Sequence, residues 1–171
     1  MHDFLDLSYD KKLFQKITLM SRSKQIKRAI TNYLNSIKEL KRLGIIKTNP
    51  SLGEIGEFLC LLVYPGLELA ESPTNPCYDA LFNGKKIQIK FTDSSLAGNF
   101  NVGDPNNYDE LIFITGPNSC HRNPSEPDER KKLYLFYRYS SAEVIDKFKS
   151  GSNYSISKTK HFKLAERGWA L

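Results

Sequence analysis

A mixed α/β fold, with a central sheet flanked by helices and an N-terminal helical arm, is the architecture this sequence predicts. Three observations lead there. Apolar residues recur at three- and four-residue steps between Ser21 and Ile46, strand-like runs enclose Asn83-Gly84, and a helix-capping signature stands at Ser140-x-x-Glu143. A chain of 171 residues suits one domain with a small appendage, so the arm is expected over residues 1–48 and a single compact domain over 49–171.

Each element has its own warrant. Ile26, Ala29, Ile30, Tyr33, Leu34, Ile37, Leu40 and Leu43 make the arm a helix or a helix pair, stopped at Gly44, with a less regular helix over residues 4–20 before it. Ser51-Leu52-Gly53-Glu54 has the spacing of a capping box and opens an apolar helix from about Leu52 to Val63, which Pro65-Gly66 ends. Leu67–Ala70 reads as a short strand and residues 72–76 as a loop. Tyr78–Phe82 and Lys85–Thr92 read as strands joined by Asn83-Gly84, the strongest short hairpin signal available. Leu111–Thr115 and Leu133–Tyr139 are further strands, separated by a polar loop over 116–131. Ser140 then opens a helix to about Lys149, and the tail from Tyr154 is expected to be a strand with an irregular end.

The composition excludes several classes. With 40% hydrophobic and 12% aromatic residues the chain can build a core. The longest apolar run, Phe58 to Tyr64, is far short of the ~20 residues of a spanning helix. The acid-containing N-terminus does not read as a secretory signal, and Cys60, Cys77 and Cys120 fit neither a disulfide framework nor a zinc knuckle. A reduced, cytoplasmic protein with no membrane partner is expected.

The net charge of +6 hides segregation. Residues 21–50 carry eight basic residues, among them Lys24, Lys27 and Arg28, against Glu39 alone, a balance of +7. Residues 48–84 hold no Lys or Arg, and Glu54, Glu57, Glu68, Glu71 and Asp79 give that stretch −5. Two solvated faces that happen to differ would account for this. So would a phosphate-attracting surface beside carboxylates that hold a divalent cation.

The hairpin is more specific. A two-residue turn at Asn83-Gly84 makes Phe82 face Lys85, Leu81 face Lys86, Ala80 face Ile87 and Asp79 face Gln88. Alternation then gives a core face of Ala80, Phe82, Ile87, Ile89 and Phe91, and a polar face of Asp79, Gln88 and Lys90. The polar face is either the wet side of a half-exposed sheet or a metal site with a neighbouring lysine. In the second reading Asp79 supplies an anionic oxygen, Gln88 a neutral one and the Ile89 carbonyl a third, while Lys90 orients a water or stabilises charge on a phosphate. Glu54 and Glu57 share one face of the preceding apolar helix; Glu54 suits the helix start, and Glu57 lies one turn further in.

The segments GEIGEFLCLLVYPGLEL, CYDALFNGKK and IQIKF, in that order, resemble the PD-(D/E)XK nuclease superfamily over roughly residues 51–92. The resemblance implies a restriction-endonuclease-like core. It makes Asp79 the central metal ligand, Gln88 the occupant of the acid position, Lys90 the catalytic lysine and Glu57 the helix acid, with Glu54 as the substitute if the register shifts by a turn. Tyr78 stands where the pattern has proline, and Gln88 removes one negative charge from the site.

The implied activity is Mg²⁺-dependent hydrolysis of DNA phosphodiesters, with Mn²⁺ as an alternative ion, in the manner of a type II restriction endonuclease. The other reading is a catalytically inactive DNA-binding or regulatory subunit that keeps the fold, for which Gln88 speaks. One site of this kind cuts one strand, so double-stranded DNA implies a homodimer, with the arm as dimer or DNA-clamp element. Lys24, Lys27, Arg28, Thr92, Ser94, Arg122, Lys158 and Lys160 are the candidate DNA contacts. Cys120-His121 reads as an ordinary loop pair, and the loop bearing Asn118, His121, Arg122 and Asn123 is a candidate for projection into a groove.

Overall fold

The computed structural model describes residues 7–44, 52–70, 77–96, 98–157 and 163–170. They fall in two compact units, the N-terminal helix and the segment Asn49–Ala170. Helix α1, Leu7–Arg42, is one continuous rod of 36 residues, about 54 Å long at 1.5 Å per residue. The earlier helix and the arm helix expected from the sequence are thus a single element. It stops where Gly44 takes a left-handed φ of 71° and its N–H bonds the Lys41 carbonyl.

In the larger unit α2 is Gly53–Val63. Leu52 is its N-cap and offers no side-chain cap; Ser51, which opens the capping box expected from the sequence, lies outside the described residues. The strands are β1 (Glu68–Leu69), β2 (Ala80–Phe82), β3 (Lys85–Thr92), β4 (Phe100–Asn101), β5 (Glu110–Thr115), β6 (Tyr134–Ser140), β7 (Lys149–Ser150), β8 (Asn153–Ile156) and β9 (Arg167–Trp169). Helix α3 is Ser141–Phe148. Six strands form one mixed sheet in the order β1-β2-β3-β5-β6-β9, and β4-β8-β7 form a small second one.

The hairpin turns as its sequence demands. Asn83 and Gly84 have φ of 51° and 75°, so both central residues are left-handed, as a type I′ turn requires. The pairs are Ala80↔Ile87, Leu81↔Lys86 and Phe82↔Lys85. Strand β3 then runs parallel to β5, with Gln88 beside Leu111, Lys90 beside Phe113 and Thr92 beside Thr115.

The two faces of the main sheet are covered differently. Helix α2 lies on the side of Ile89, Phe91 and Ile114; a Cβ added at Gly56 would stand 2.8 Å from the Phe91 Cβ, so glycine lets the helix approach this closely. Tyr64 closes that layer, its ring 5.7 Å from Phe82 and 6.0 Å from Phe136. The opposite face holds the main core of Leu111, Phe113, Leu135, Tyr137, Tyr139, Val144 and Phe148 with Val102 and Ile156. Helix α3 is fastened there by a true capping box: Ser140 accepts from the Glu143 N–H, and Glu143 accepts from the Ser140 N–H.

The sequence reading missed β4 and β7, two-residue strands too short for any periodic signal, and β9, a three-residue strand paired with β6 where an irregular end was expected. The loop over 116–131 is also more built than expected, with a 3₁₀ turn at Asp128–Arg130. Among the described residues no helix is long and apolar enough to cross a membrane.

Candidate functional site

Strand β2 begins at Ala80, opposite Ile87, while its partner β3 continues past that pair to Thr92. Asp79, the last residue before β2, donates its N–H to the Ile87 carbonyl and accepts the Ala70 N–H, both at 2.9 Å. Its side chain turns back toward β3. Asp79 Oδ2 accepts the Ile89 N–H at 2.6 Å, taking the place of the backbone acceptor that a longer β2 would have supplied. The N–H and C=O of a strand residue point to the same edge, so the Ile89 carbonyl faces the same opening as the Asp79 carboxylate.

Gln88 lies on the core side of β3 and is 8% exposed. Its Nε2 donates to the same Oδ2 of Asp79, and its Oε1 lies toward the Gly103 backbone, 3.7 Å from where a Cβ would stand. Both hydrogen bonds therefore converge on one carboxylate oxygen, and Asp79 Oδ1 has no protein partner among the described residues. Lys90, half-buried on the same face as Gln88, acts on Asp79 and Glu57 through its charge.

Glu57 comes to the site from α2. Of the two helix acids it is the half-buried one, while Glu54 is exposed. Burial pushes the Glu57 carboxyl above its ordinary pKa, and Asp79 and Glu54 push it further, against Lys90. Burial also raises Asp79, opposed by the Ile89 N–H, Lys90 and Gln88. Cys60, one turn beyond Glu57 and fully buried, has its thiol pushed well up by burial and then by Asp79 and Glu57. Two half-buried carboxylates, each with its pKa raised first by burial, thus stand within electrostatic reach of each other and of the Lys90 ammonium.

No protein-family model matches the chain, and a search of curated proteins finds no similar one.

The donors fit a hard divalent cation better than a soft one. Asp79 Oδ1, the Ile89 carbonyl and the Glu57 carboxyl are oxygens, as Mg²⁺ prefers. Gln88 is turned the other way: its amide nitrogen faces Asp79, so service as a ligand requires the amide to rotate and present Oε1. Among the described residues no group of three or more His, Cys, Asp and Glu is arranged to hold a metal; the site has two carboxylates, and its remaining oxygens are neutral.

The other candidates are placed as follows. Lys24 and Arg28 are exposed on α1, and Lys27 is half-buried there. Thr92 is buried, its Oγ1 accepting the Ser94 N–H at 3.3 Å, and Ser94 Oγ accepts the Leu96 N–H at 3.2 Å, which is ordinary turn bonding. Arg122, expected at the DNA, turns inward: its guanidinium binds the carbonyls of Gly116, Leu133 and Arg130 at 3.1, 2.9 and 2.7 Å. Asn118 binds the Asp93 carboxylate, His121 Nε2 lies 2.8 Å from the Gly98 carbonyl, and Asn123 Nδ2 bonds the Lys163 carbonyl. These side chains brace the loop they sit on and do not project from it. Lys158 and Lys160 lie outside the described residues.

Two neighbours went unread in the sequence. Cys60 looked like one more apolar residue of α2. Gly103, with a left-handed φ of 82°, brings its backbone against the Gln88 amide, and only its glycine identity in a polar stretch could have signalled a close approach.

Proposed function

We propose that this chain is a Mg²⁺-dependent DNA endonuclease of the PD-(D/E)XK type, acting as a restriction-like enzyme. The observation that carries the reading is the Asp79 carboxylate, held by the Ile89 N–H at a strand edge with one oxygen left open, flanked by Lys90 and by Glu57 from the helix. Asp79, the Ile89 carbonyl and Glu57 would hold the ion, and Mn²⁺ would serve in its place. When bound, the ion supplies charge neutralisation at the phosphodiester and activation of water. Lys90 orients the attacking water and stabilises the negative charge that develops on the phosphate. Burial of the carboxylates keeps bulk water from weakening these interactions. The exposed Lys24 and Arg28 offer phosphate contacts, and paired cuts on duplex DNA call for two copies of the chain.

Plasmid nicking tests this directly. Parent protein with Mg²⁺ or Mn²⁺ should convert supercoiled plasmid to nicked and linear forms, and Asp79→Asn and Lys90→Ala should not. Equal cutting by the variants, or none by the parent, would sink the proposal.

A specific observation favours a second reading, a catalytically silent DNA-binding subunit. The Gln88 amide hydrogen-bonds one oxygen of Asp79 without any ion. Calorimetric titration with Mg²⁺ separates the two: a parent that takes up no ion supports the silent subunit.

A further inference from the structure

Cys120 and His121 form a side-chain pair that the nuclease chemistry does not use. Cys120 Sγ lies 3.4 Å from His121 Nδ1, and His121 Nε2 lies 2.8 Å from the Gly98 carbonyl. A carbonyl oxygen only accepts, so the hydrogen of the neutral imidazole sits on Nε2 and the lone pair of Nδ1 faces the sulfur. His121 is 3% exposed, and edge contacts with Phe100 and Phe113, at 6.1 and 6.4 Å between ring centroids, hold the imidazole in that direction. A thiol, a base within hydrogen-bond reach and a group that orients the base are the three parts of an activated nucleophile.

The surroundings of Cys120 set it apart from a packed cysteine. Cys60 is fully buried, whereas Cys120 is half-buried and open in part to solvent. The Leu96 carbonyl, 3.0 Å from Sγ, is a second acceptor for the thiol hydrogen. A carbonyl cannot keep a proton and an imidazole can, so His121 is the group that turns the thiol into the thiolate that attacks. Once that hydrogen has moved to Nδ1, the Leu96 carbonyl is free to accept from an incoming O–H. A half-buried sulfur beside such an acceptor suits a small, uncharged oxidant that donates hydrogen bonds, and hydrogen peroxide has these properties.

We propose that Cys120 is a peroxide-reactive thiol with His121 as its base. The thiol hydrogen passes to Nδ1, the sulfur attacks one peroxide oxygen, and the O–O bond breaks. The departing hydroxide takes the proton from Nδ1 and leaves as water. Sulfur is oxidised by two electrons to the sulfenic acid, and the peroxide is reduced. Neither a metal ion nor DNA takes part, so this chemistry stands independently of the nuclease reading.

The test treats the full-length protein in EDTA with hydrogen peroxide and dimedone, which traps sulfenic acid, and follows each cysteine by peptide mass spectrometry. Cys120 should be labelled about tenfold or more faster than free N-acetylcysteine at neutral pH, where an unassisted thiol is mostly protonated; partial burial alone would make it slower. His121→Gln should lower the Cys120 rate by about tenfold or more, a conservative share of what a positioned base contributes. Cys60 that stays unlabelled in both proteins shows that the fold is kept. Should Cys60 become labelled in His121→Gln, the comparison of the parent with N-acetylcysteine decides alone. A parent rate at or below that of N-acetylcysteine overturns the proposal, and so does an undiminished rate in a folded His121→Gln.

Discussion

Gln88 donates its side-chain amide to the same Asp79 oxygen that accepts the Ile89 N–H. A carboxylate at position 88 could not do this, because it has no donor and carries the charge of Asp79 itself. The glutamine thus makes the metal-free site self-consistent, and it does so by spending the contact that a metal ligand would use. Gln88→Glu should exchange these properties. Mg²⁺ affinity measured by calorimetry should rise by roughly tenfold with the added charge. Without the ion, urea unfolding should show a loss of about 1–3 kcal/mol from the missing hydrogen bond and the new repulsion.

Asp79 can be probed with its hydrogen bonds kept or removed. In Asp79→Asn a carbonyl oxygen in the place of Oδ2 still accepts from Ile89 and Gln88, so stability should match or exceed that of the parent. Asp79→Ala leaves the Ile89 N–H without its acceptor and should cost about 1–3 kcal/mol. Both should abolish Mg²⁺ uptake. If the alanine variant were as stable as the asparagine one, the edge-capping role of Asp79 would be wrong.

The pH dependence has a definite sign. Burial raises the carboxyl pKa of Asp79, and burial with Asp79 and Glu54 raises that of Glu57. A raised carboxyl pKa means that the folded chain binds the proton more tightly than the unfolded one. The stability these two groups contribute is therefore fully present below the ordinary carboxylate range and is lost as pH rises through their elevated folded values. In EDTA, the stability of Asp79→Asn relative to the parent should grow as pH rises across that window, and Mg²⁺ affinity of the parent should weaken as pH falls through it. Urea titrations at stepped pH check the first and calorimetry the second.

Arg122→Ala should behave as a folding variant. Its guanidinium ties two backbone carbonyls of the loop over 116–131, those of Gly116 and Arg130, to that of Leu133 just beyond it, so truncation should cost on the order of 2–3 kcal/mol. The slope of DNA affinity against salt should not change, whereas removal of a phosphate contact would lower it by about one.

Gly56→Ala tests the seat of α2. The new methyl would meet the Phe91 Cβ at 2.8 Å, and relief requires the helix to lift, at a cost of about 1–3 kcal/mol. Because Glu57 is the next residue, Mg²⁺ affinity should fall along with stability.

Much of the hairpin was legible beforehand, since Asn83-Gly84 admits few turn types and the pleat fixes the rest of the register. Parity places Gln88, Lys90 and Thr92 on one face of β3, and of the two readings of that face the wet one does not hold for Gln88 and Thr92, which are buried on the side where Val102 and Ile156 of the second sheet's segment join Leu111 and Phe113. The sequence favoured Glu57 over Glu54, which suits the helix start, and kept Glu54 as the substitute; in the structure Glu57 is the half-buried one and Glu54 is exposed, a difference in depth that spacing on one helix face does not carry. Arg122 and Asn123 looked like solvent-seeking loop residues. Their partners are backbone groups of the loop and the C-terminal segment, contacts between residues too far apart in the chain for a local pattern to reveal.

The Asn83-Gly84 turn works like a reading frame for the sheet. It lies at the far end of the hairpin from Asp79, yet the parity it sets decides whether Gln88 and Lys90 or Ile87 and Ile89 look toward α2. One residue inserted there would leave each strand intact and transpose its meaning: the amide and the ammonium would enter the apolar layer, and the Ile89 N–H would lose the carboxylate that now caps it. A turn at the far end of the hairpin thereby decides which side chains Asp79 meets.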